Sequence, residues 1–250
     1  MTKLIYIGKC LLIETGKKDK KERKKILVIG DLHLGYEQAL NEGGVFVSRK
    51  MYDEMILELD KVFKIAEMGG KVDEVVLVGD VKQEFRGILR QERGDIIGLV
   101  NWLLEKTEKL VITRGNHDSI LEPILRGKER IELREVYCAD GVVFAHGDKN
   151  LKDFWNKETE LIVMGHWHPA VEFIDGVKKE RYKCFLEGKT KGKTIVILPS
   201  FIDNREGIDI RHTDFEEKFN ASVEKFKVRV VNLDGEMNVF DFGQLGKITG

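Results

Sequence analysis

The chain of 250 residues has little of what would cross-link it or hold it in a membrane. It has three cysteines, Cys10, Cys138 and Cys184, widely spaced and with no Cys-x-x-Cys pair. This spacing excludes a disulfide framework and suits reduced cytoplasmic thiols. No run approaches the ~20 apolar residues of a membrane helix. Leu11-Leu12-Ile13 passes at once into Glu14, so no signal peptide is expected. With only three prolines, no Pro-rich linker marks a boundary, and one domain over residues 1–250 is expected. The net charge of −1 excludes a global field that would draw in nucleic acid. Charged residues are nonetheless 34% of the chain, against about 25% usually. That bias suits a heat-adapted soluble protein.

What is present is a series of five polar clusters, each closing an apolar run. They are Asp31-Leu32-His33, Gly79-Asp80, Gly115-Asn116-His117-Asp118, Ala145-His146-Gly147-Asp148 and Gly165-His166-Trp167-His168. The runs before them are Ile26–Ile29, Val75–Val78, Leu110–Thr113, Val142–Phe144 and Leu161–Met164. Five of the six histidines sit in these clusters. Taken singly each cluster is ordinary: Gly-Asp is common turn chemistry, and a lone histidine is most often structural. Together they suit strand ends converging on a site that needs imidazole, carboxylate and amide ligands.

Tyr52, Met55, Ile56, Leu59, Val62, Phe63 and Ala66 recur at helical spacing, between a Ser48 N-cap and a Gly69-Gly70 stop. A second helix is expected over Asp95–Lys109, giving strand, helix, strand, helix, strand through Val111 and hence parallel pairing. Residues 3–15 read as a strand pair or bent strand. After Val136 strands recur with short connections, at 142–145, 161–164, 170–174, 181–186, 194–199, 227–233 and 237–242. Thr190-Lys191-Gly192 and Asp234-Gly235 are hairpin turns. Two sheets packed face to face, with helices outside, fit both halves. The basic stretches 17–25 and 178–193 read as a solvated loop and a solvated hairpin; beside the site they could instead track a phosphate backbone.

A mixed N/O donor set without thiolate favours Mn²⁺, Fe, Zn or Co²⁺. Seven candidate ligands exceed the needs of one tetrahedral ion and suit two ions sharing a carboxylate. Such a pair activates water and clamps phosphoryl oxygens, so phosphate-ester hydrolysis is the expected chemistry.

The order Asp-x-His, Gly-Asp, Gly-Asn-His-Asp, His and Gly-His-x-His resembles the calcineurin-like metallophosphoesterase superfamily. The resemblance implies an α/β fold, a four-layer αββα sandwich of two mixed β-sheets flanked by helices. It implies two divalent metal ions, Mn²⁺ first, with Zn²⁺, Fe²⁺, Co²⁺ or Ni²⁺ as alternatives. Asp31, His33 and His168 would bind the first metal, Asp80 would bridge, and Asn116, His146 and His166 would complete the second. His117 would face the scissile phosphate as a charge stabiliser or acid, with Asp118 orienting its ring. Arg114 would bind phosphate or form a structural ion pair. Apart from the resemblance, Gln83, three residues after Asp80, is placed either near the crevice, helping to set substrate preference, or in a purely structural role.

Asp31–Glu37, Gly43-Gly44-Val45, Gly165–Val171 and Leu198-Pro199-Ser200-Phe201 are similar to a small cytoplasmic subgroup. It includes the phosphoesterases associated with bacterial DNA ligases and their archaeal relatives. The implied function is a phosphodiesterase acting on nucleotides or nucleic acid through a metal-bridging hydroxide. The alternatives are a phosphomonoesterase or nucleotide hydrolase, and a metal-binding scaffold for protein partners. The superfamily also allows a homodimer, which nothing in the sequence demands.

Overall fold

The computed structural model describes residues 2–16, 23–149, 156–202, 206–232 and 236–248. Most of the charged 17–25 connection and the Asp234-Gly235 turn lie outside them. The first sheet runs in the order β1 (Lys3–Ile7), β2 (Cys10–Thr15), β3 (Lys24–Ile29), β4 (Glu74–Val78), β5 (Lys109–Thr113), β6 (Ile131–Arg134). From β3 to β6 the pairing is parallel. Helix α1 (Tyr36–Glu42) and helix α2 (Met51–Ala66) connect β3 to β4, and α3 (Arg90–Lys106) connects β4 to β5. A short helix, α4 (Leu121–Leu125), follows β5.

The second sheet comprises β7 (Val136–Ala139), β8 (Val142–Ala145), β9 (Leu161–Met164), β11 (Lys178–Thr190), β12 (Lys193–Ile197), β13 (Lys227–Val231) and β14 (Val239–Gln244). Their order is β14-β13-β11-β12-β9-β8-β7, and β10 (Ala170–Asp175) pairs with β11 as a hairpin. The β8–β9 and β9–β12 pairs are parallel and the others antiparallel, so both sheets are mixed.

Alternation along the strands builds the layers. Leu27, Ile29, Val75, Leu77, Leu110 and Ile112 face α2 and α3. Their neighbours Ile26, Val28, Val76, Val78 and Val111 face the other sheet, against Val142, Phe144, Leu161, Val163, Phe185 and Val196. Val143, Ile162, Met164, Cys184 and Ile195 face outward, under Phe219, Val223, Phe226 and helix α5 (Phe215–Phe219). The expected four layers are present, the last one thin among the described residues. Strands covered on both faces must be apolar at every position, which is why their sequences read as unbroken runs.

Helix α2 buries Met55, Leu59, Val62, Phe63 and Ala66, as the spacing predicts. It starts at Met51, three residues after Ser48, and the residue in the N-cap position is Lys50, whose side chain makes no capping bond. Buried Glu37 serves instead, its Oε1 accepting from the amides of Lys50 at 2.8 Å and Met51 at 3.0 Å. At the other end, buried Lys25 donates to the carbonyls of Ala66 (3.0 Å), Met68 (2.9 Å) and Gly70 (3.1 Å). Lys24 and Lys25 therefore belong to β3 and not to a solvated loop. Likewise Lys183, inside the basic 178–193 hairpin, is buried and donates to Ser200 O at 2.9 Å.

Helix α3 begins five residues before Asp95, because buried Glu92 closes its first turn by accepting from the Leu89 amide at 2.9 Å. Helix α1 and strands β6 and β7, not foreseen from periodicity, are short or only half-buried. The Thr190–Lys193 hairpin turn is as expected, with positive φ at both Lys191 and Gly192. All three cysteines are free. No described helix is long and apolar enough to cross a membrane.

Phe63 is 1% exposed and meets Trp102 edge-on at 5.4 Å between ring centres. Phe63→Ala is expected to lower the free energy of unfolding by about 3–5 kcal/mol. Urea denaturation checks this; a loss below about 1 kcal/mol would show that the helix layer repacks freely.

Candidate metal centre

The five clusters all leave the same end of the two sheets, where β3, β4, β5, β8 and β9 stop. The chain turns there in a conformation that side chains disfavour. Asp31 (φ 51°), His33 (φ 44°), Asp80 (φ 47°), His166 (φ 68°) and His168 (φ 41°) all have left-handed backbones. Each such residue costs of order 1–3 kcal/mol, and outliers of this kind collect at functional sites. The glycines before the ligands have a separate, steric reason. A Cβ on Gly115 would lie 2.2 Å from Asp80 Oδ1, and one on Gly165 would lie 2.4 Å from Asp31 Oδ2.

Asp80 Oδ2 stands at the centre. His146 Nε2 is 3.3 Å from it, His33 Nε2 3.8 Å and His117 Nε2 3.9 Å. On one side Asp31 Oδ1 lies 3.2 Å from His168 Nε2, which lies 3.4 Å from His33 Nε2. On the other, His146 Nε2 lies 3.1 Å from both Asn116 Oδ1 and His166 Nδ1. Backbone amides hold the acids in place: His166 N–H donates to Asp31, and His117 N–H donates to Asp80 Oδ1 at 3.0 Å. Among the described residues three groups could hold a cation: Asp31 with His33 and His168, His33 with Asp80 and His117, and Asp80 with His146 and His166.

The donor chemistry fits a divalent ion. Asp31 and Asp80 are buried, and ring nitrogens of His146 and His166, and of His33 and His168, converge to 3.1 and 3.4 Å. His146 Nδ1 donates to Val78 O at 3.0 Å, which leaves Nε2 as the atom presented to the cluster. Burial opposes ionisation of Asp31, but His168, His146 and His33 outweigh it and hold its carboxyl below the usual value. The same contest leaves Asp80 well below the carboxylate range, through its hydrogen bond to His146. Burial disfavours charge on His146, yet Asp80 and Asp31 push its pKa up to about 9. His166, buried and beside a charged His146, falls to about 4. A proton on His146 thus occupies the place a cation would take, and a metal must displace it.

His117 has a different partner from the one expected. Its Nδ1 is 2.6 Å from the carbonyl of Gln83, not from Asp118. Asp118 is turned inward and buried. Its Oδ2 accepts from Gly115 N at 2.9 Å, and its Oδ1 accepts from Val81 N at 3.0 Å. Burial and the nearby Asp80 charge push its pKa up to about 6. Asp118 therefore ties the Gly79-Asp80 turn to the Gly115-Asn116 turn, and the expectation that it orients His117 is corrected. Arg114 is engaged by Glu122 at 2.8 Å and Glu135 at 3.5 Å, which supports its ion-pair role over phosphate binding. Gln83 does lie at the crevice, but through its carbonyl. Trp167 packs edge-on against Phe215, as a packing residue should.

Two residues at the site had no sequence signal. Phe85 meets the His117 ring at 4.9 Å, and Glu92 Oε1 accepts from the amides of Gln83 (2.7 Å) and Glu84 (2.8 Å). Neither lies in a recognisable motif. Both reach the site only because the loop after β4 folds back over the start of α3.

Among solved structures, a nuclease MPE from Pseudomonas putida shares this fold. Its TM-score is 0.57 and its identity 15%, over 97% of this chain and 100% of that one. Vacuolar protein sorting 29 from Cryptosporidium parvum gives a TM-score of 0.42 at 18% identity, covering 88% of this chain and 97% of that one. The phosphoesterase YfcE from E. coli gives 0.36 at 16% identity, covering 84% and 88%. No curated protein matches the chain by sequence. Residues 24–198, which hold all five clusters, match the calcineurin-like phosphoesterase family, and the chain belongs to that family.

Proposed function

We propose that the chain is a single-domain, dinuclear-metal phosphodiesterase, acting on nucleotides or nucleic acid with Mn²⁺ as its working metal. The observation that carries this reading is the shared position of Asp80, whose carboxylate belongs to two of the three donor groups at once. Asp31, His33, His168 and Asp80 would hold one ion, and Asp80, Asn116, His146 and His166 the other. Bound there, two divalent ions supply Lewis acidity to activate water and to neutralise a phosphoryl group.

The chain's own residues do the rest. Asp31 and Asp80 bring two negative charges into a buried place and so favour cations over water. Nδ1–H of His117 donates to the Gln83 carbonyl at 2.6 Å, so Nε2 is the ring atom left facing the cluster. Nε2 faces the cluster at the more open rim, His117 being 18% exposed. A phosphate ester in the crevice would present its leaving oxygen there, and His117 would protonate it. The preference for nucleotides rests on the subgroup motifs, and a bacterial protein named as a nuclease has the same fold.

The test is hydrolysis of bis-p-nitrophenyl phosphate against p-nitrophenyl phosphate by metal-stripped protein reloaded with Mn²⁺, Zn²⁺, Fe²⁺, Co²⁺ or Mg²⁺. We expect the diester to be cleaved faster, Mn²⁺ to be the best metal, and chelation to abolish turnover. Faster cleavage of the monoester would make the chain a phosphatase. Two bound ions without turnover of either ester would count against an enzyme.

A further inference from the structure

Phe85 is 54% exposed, in a place where an apolar ring has little to gain from water. Its loop is not loose. The amides of Gln83 and Glu84 are held by buried Glu92, the Glu84 carbonyl is held by Lys82 Nζ, and Ser119 Oγ donates to Phe85 O at 3.1 Å. The ring meets His117 edge to face, with centres 4.9 Å apart and planes at 73°. It is therefore a fixed aromatic surface touching the residue placed on the leaving-group side of the reaction, with much of the ring open to solvent.

We infer that Phe85 is a stacking platform for a nucleobase carried on the ester group next to the scissile phosphate. This rests on the phosphodiesterase reading above and adds the substrate class to it. A planar group joined to that ester is brought beside the ring by the same geometry that brings its oxygen to His117. A phenyl ring offers a π-face and no hydrogen-bonding group, so it accepts any base with little regard to sequence. Bases inside a duplex are already stacked on both faces. The platform therefore suits unstacked bases, in single strands, at strand ends or in free nucleotide esters.

The experiment compares three substrates on Mn²⁺-loaded protein: dithymidine monophosphate and its two analogues in which one or the other sugar lacks its thymine. We expect the intact dinucleotide to exceed one of the abasic analogues in kcat/KM by about tenfold, the size of a single base–aromatic stack. That ratio should fall towards one in F85A and be kept in F85W. Loss of support for His117 would slow all three substrates together, so only the ratio tests the platform. An unchanged ratio in F85A would overturn the inference, as would equal rates on all three substrates in the unaltered protein.

A single-stranded thymidine oligonucleotide, run beside the dinucleotide, separates the two sources of the base. A higher kcat/KM on the oligonucleotide points to nucleic-acid strands, and an equal or lower one to free nucleotides. Should none of these be cleaved, saturation-transfer NMR on the thymine methyl protons of the dinucleotide decides. Transfer that disappears in F85A keeps the stacking site while the phosphodiesterase reading fails. No transfer to the unaltered protein removes the stacking site as well.

Discussion

His117→Ala is expected to keep both metal ions and to lose about 10²–10⁴-fold in kcat, the usual worth of a positioned acid or base. The argument is geometric. His117 Nε2 is 3.9 Å from Asp80 Oδ2, against 3.8 Å for His33 Nε2 and 3.3 Å for His146 Nε2. Its Nδ1 is bound to the Gln83 carbonyl, so the ring is oriented without a metal. It lies at the more open edge of the cluster, while His33 and His146 are buried. Metal content by mass spectrometry, measured beside the rate, separates two roles. Loss of an ion in the variant would make His117 a ligand, since it also shares a donor group with His33 and Asp80. Full activity with both ions present would remove it from the mechanism.

Asp80→Asn should be the most damaging single change at the site. The substitution keeps shape and keeps an oxygen to accept the His117 amide, now 3.0 Å from Oδ1. It removes the one negative charge common to two donor groups. Metal affinity should fall by more than the roughly 10–100-fold that follows loss of a merely supporting partner. Turnover should fall with it, and the content should drop from two ions to one or none. The shape of the site should survive, because the side chain's volume is unchanged. Thermal unfolding of the metal-free variant is the control: its midpoint should fall below that of the parent at neutral pH, because the buried His146 loses the charge that pairs with it 3.3 Å away. Two tightly held ions in the variant would contradict a bridging role for Asp80.

Much of the architecture was legible because burial on both faces leaves a plain mark. The unbroken apolar runs at 26–29, 75–78, 110–113, 142–144 and 161–164 are core strands. The 3.6-residue recurrence from Tyr52 to Ala66 is a helix whose buried face matches the spacing. Boundaries were less legible, because long-range partners set them. Ser48 is a good N-cap by residue type, but Glu37 reaches the start of α2 from another element. Lys25 looked like part of a charged loop because its neighbours are charged. It is buried because the carbonyls ending α2 lie beside it.

The same division holds at the site. The sequence by itself determined the family, the order of the strands that end in polar clusters, and a donor set of Asp, Asn and His without thiolate. Those are matters of residue type and spacing along the chain. Only the tertiary structure decided which atoms face which. It turned Asp118 onto the amides of Gly115 and Val81 and left the His117 ring to the Gln83 carbonyl. It also set Phe85 against that ring from a loop with no motif. Five left-handed backbones aim the Asp31, His33, Asp80, His166 and His168 side chains at one point. The physical reason is that a hydrogen bond or a ring contact depends on distance in space. Residues 37 apart, such as Val81 and Asp118, become neighbours only when parallel strands bring their ends together.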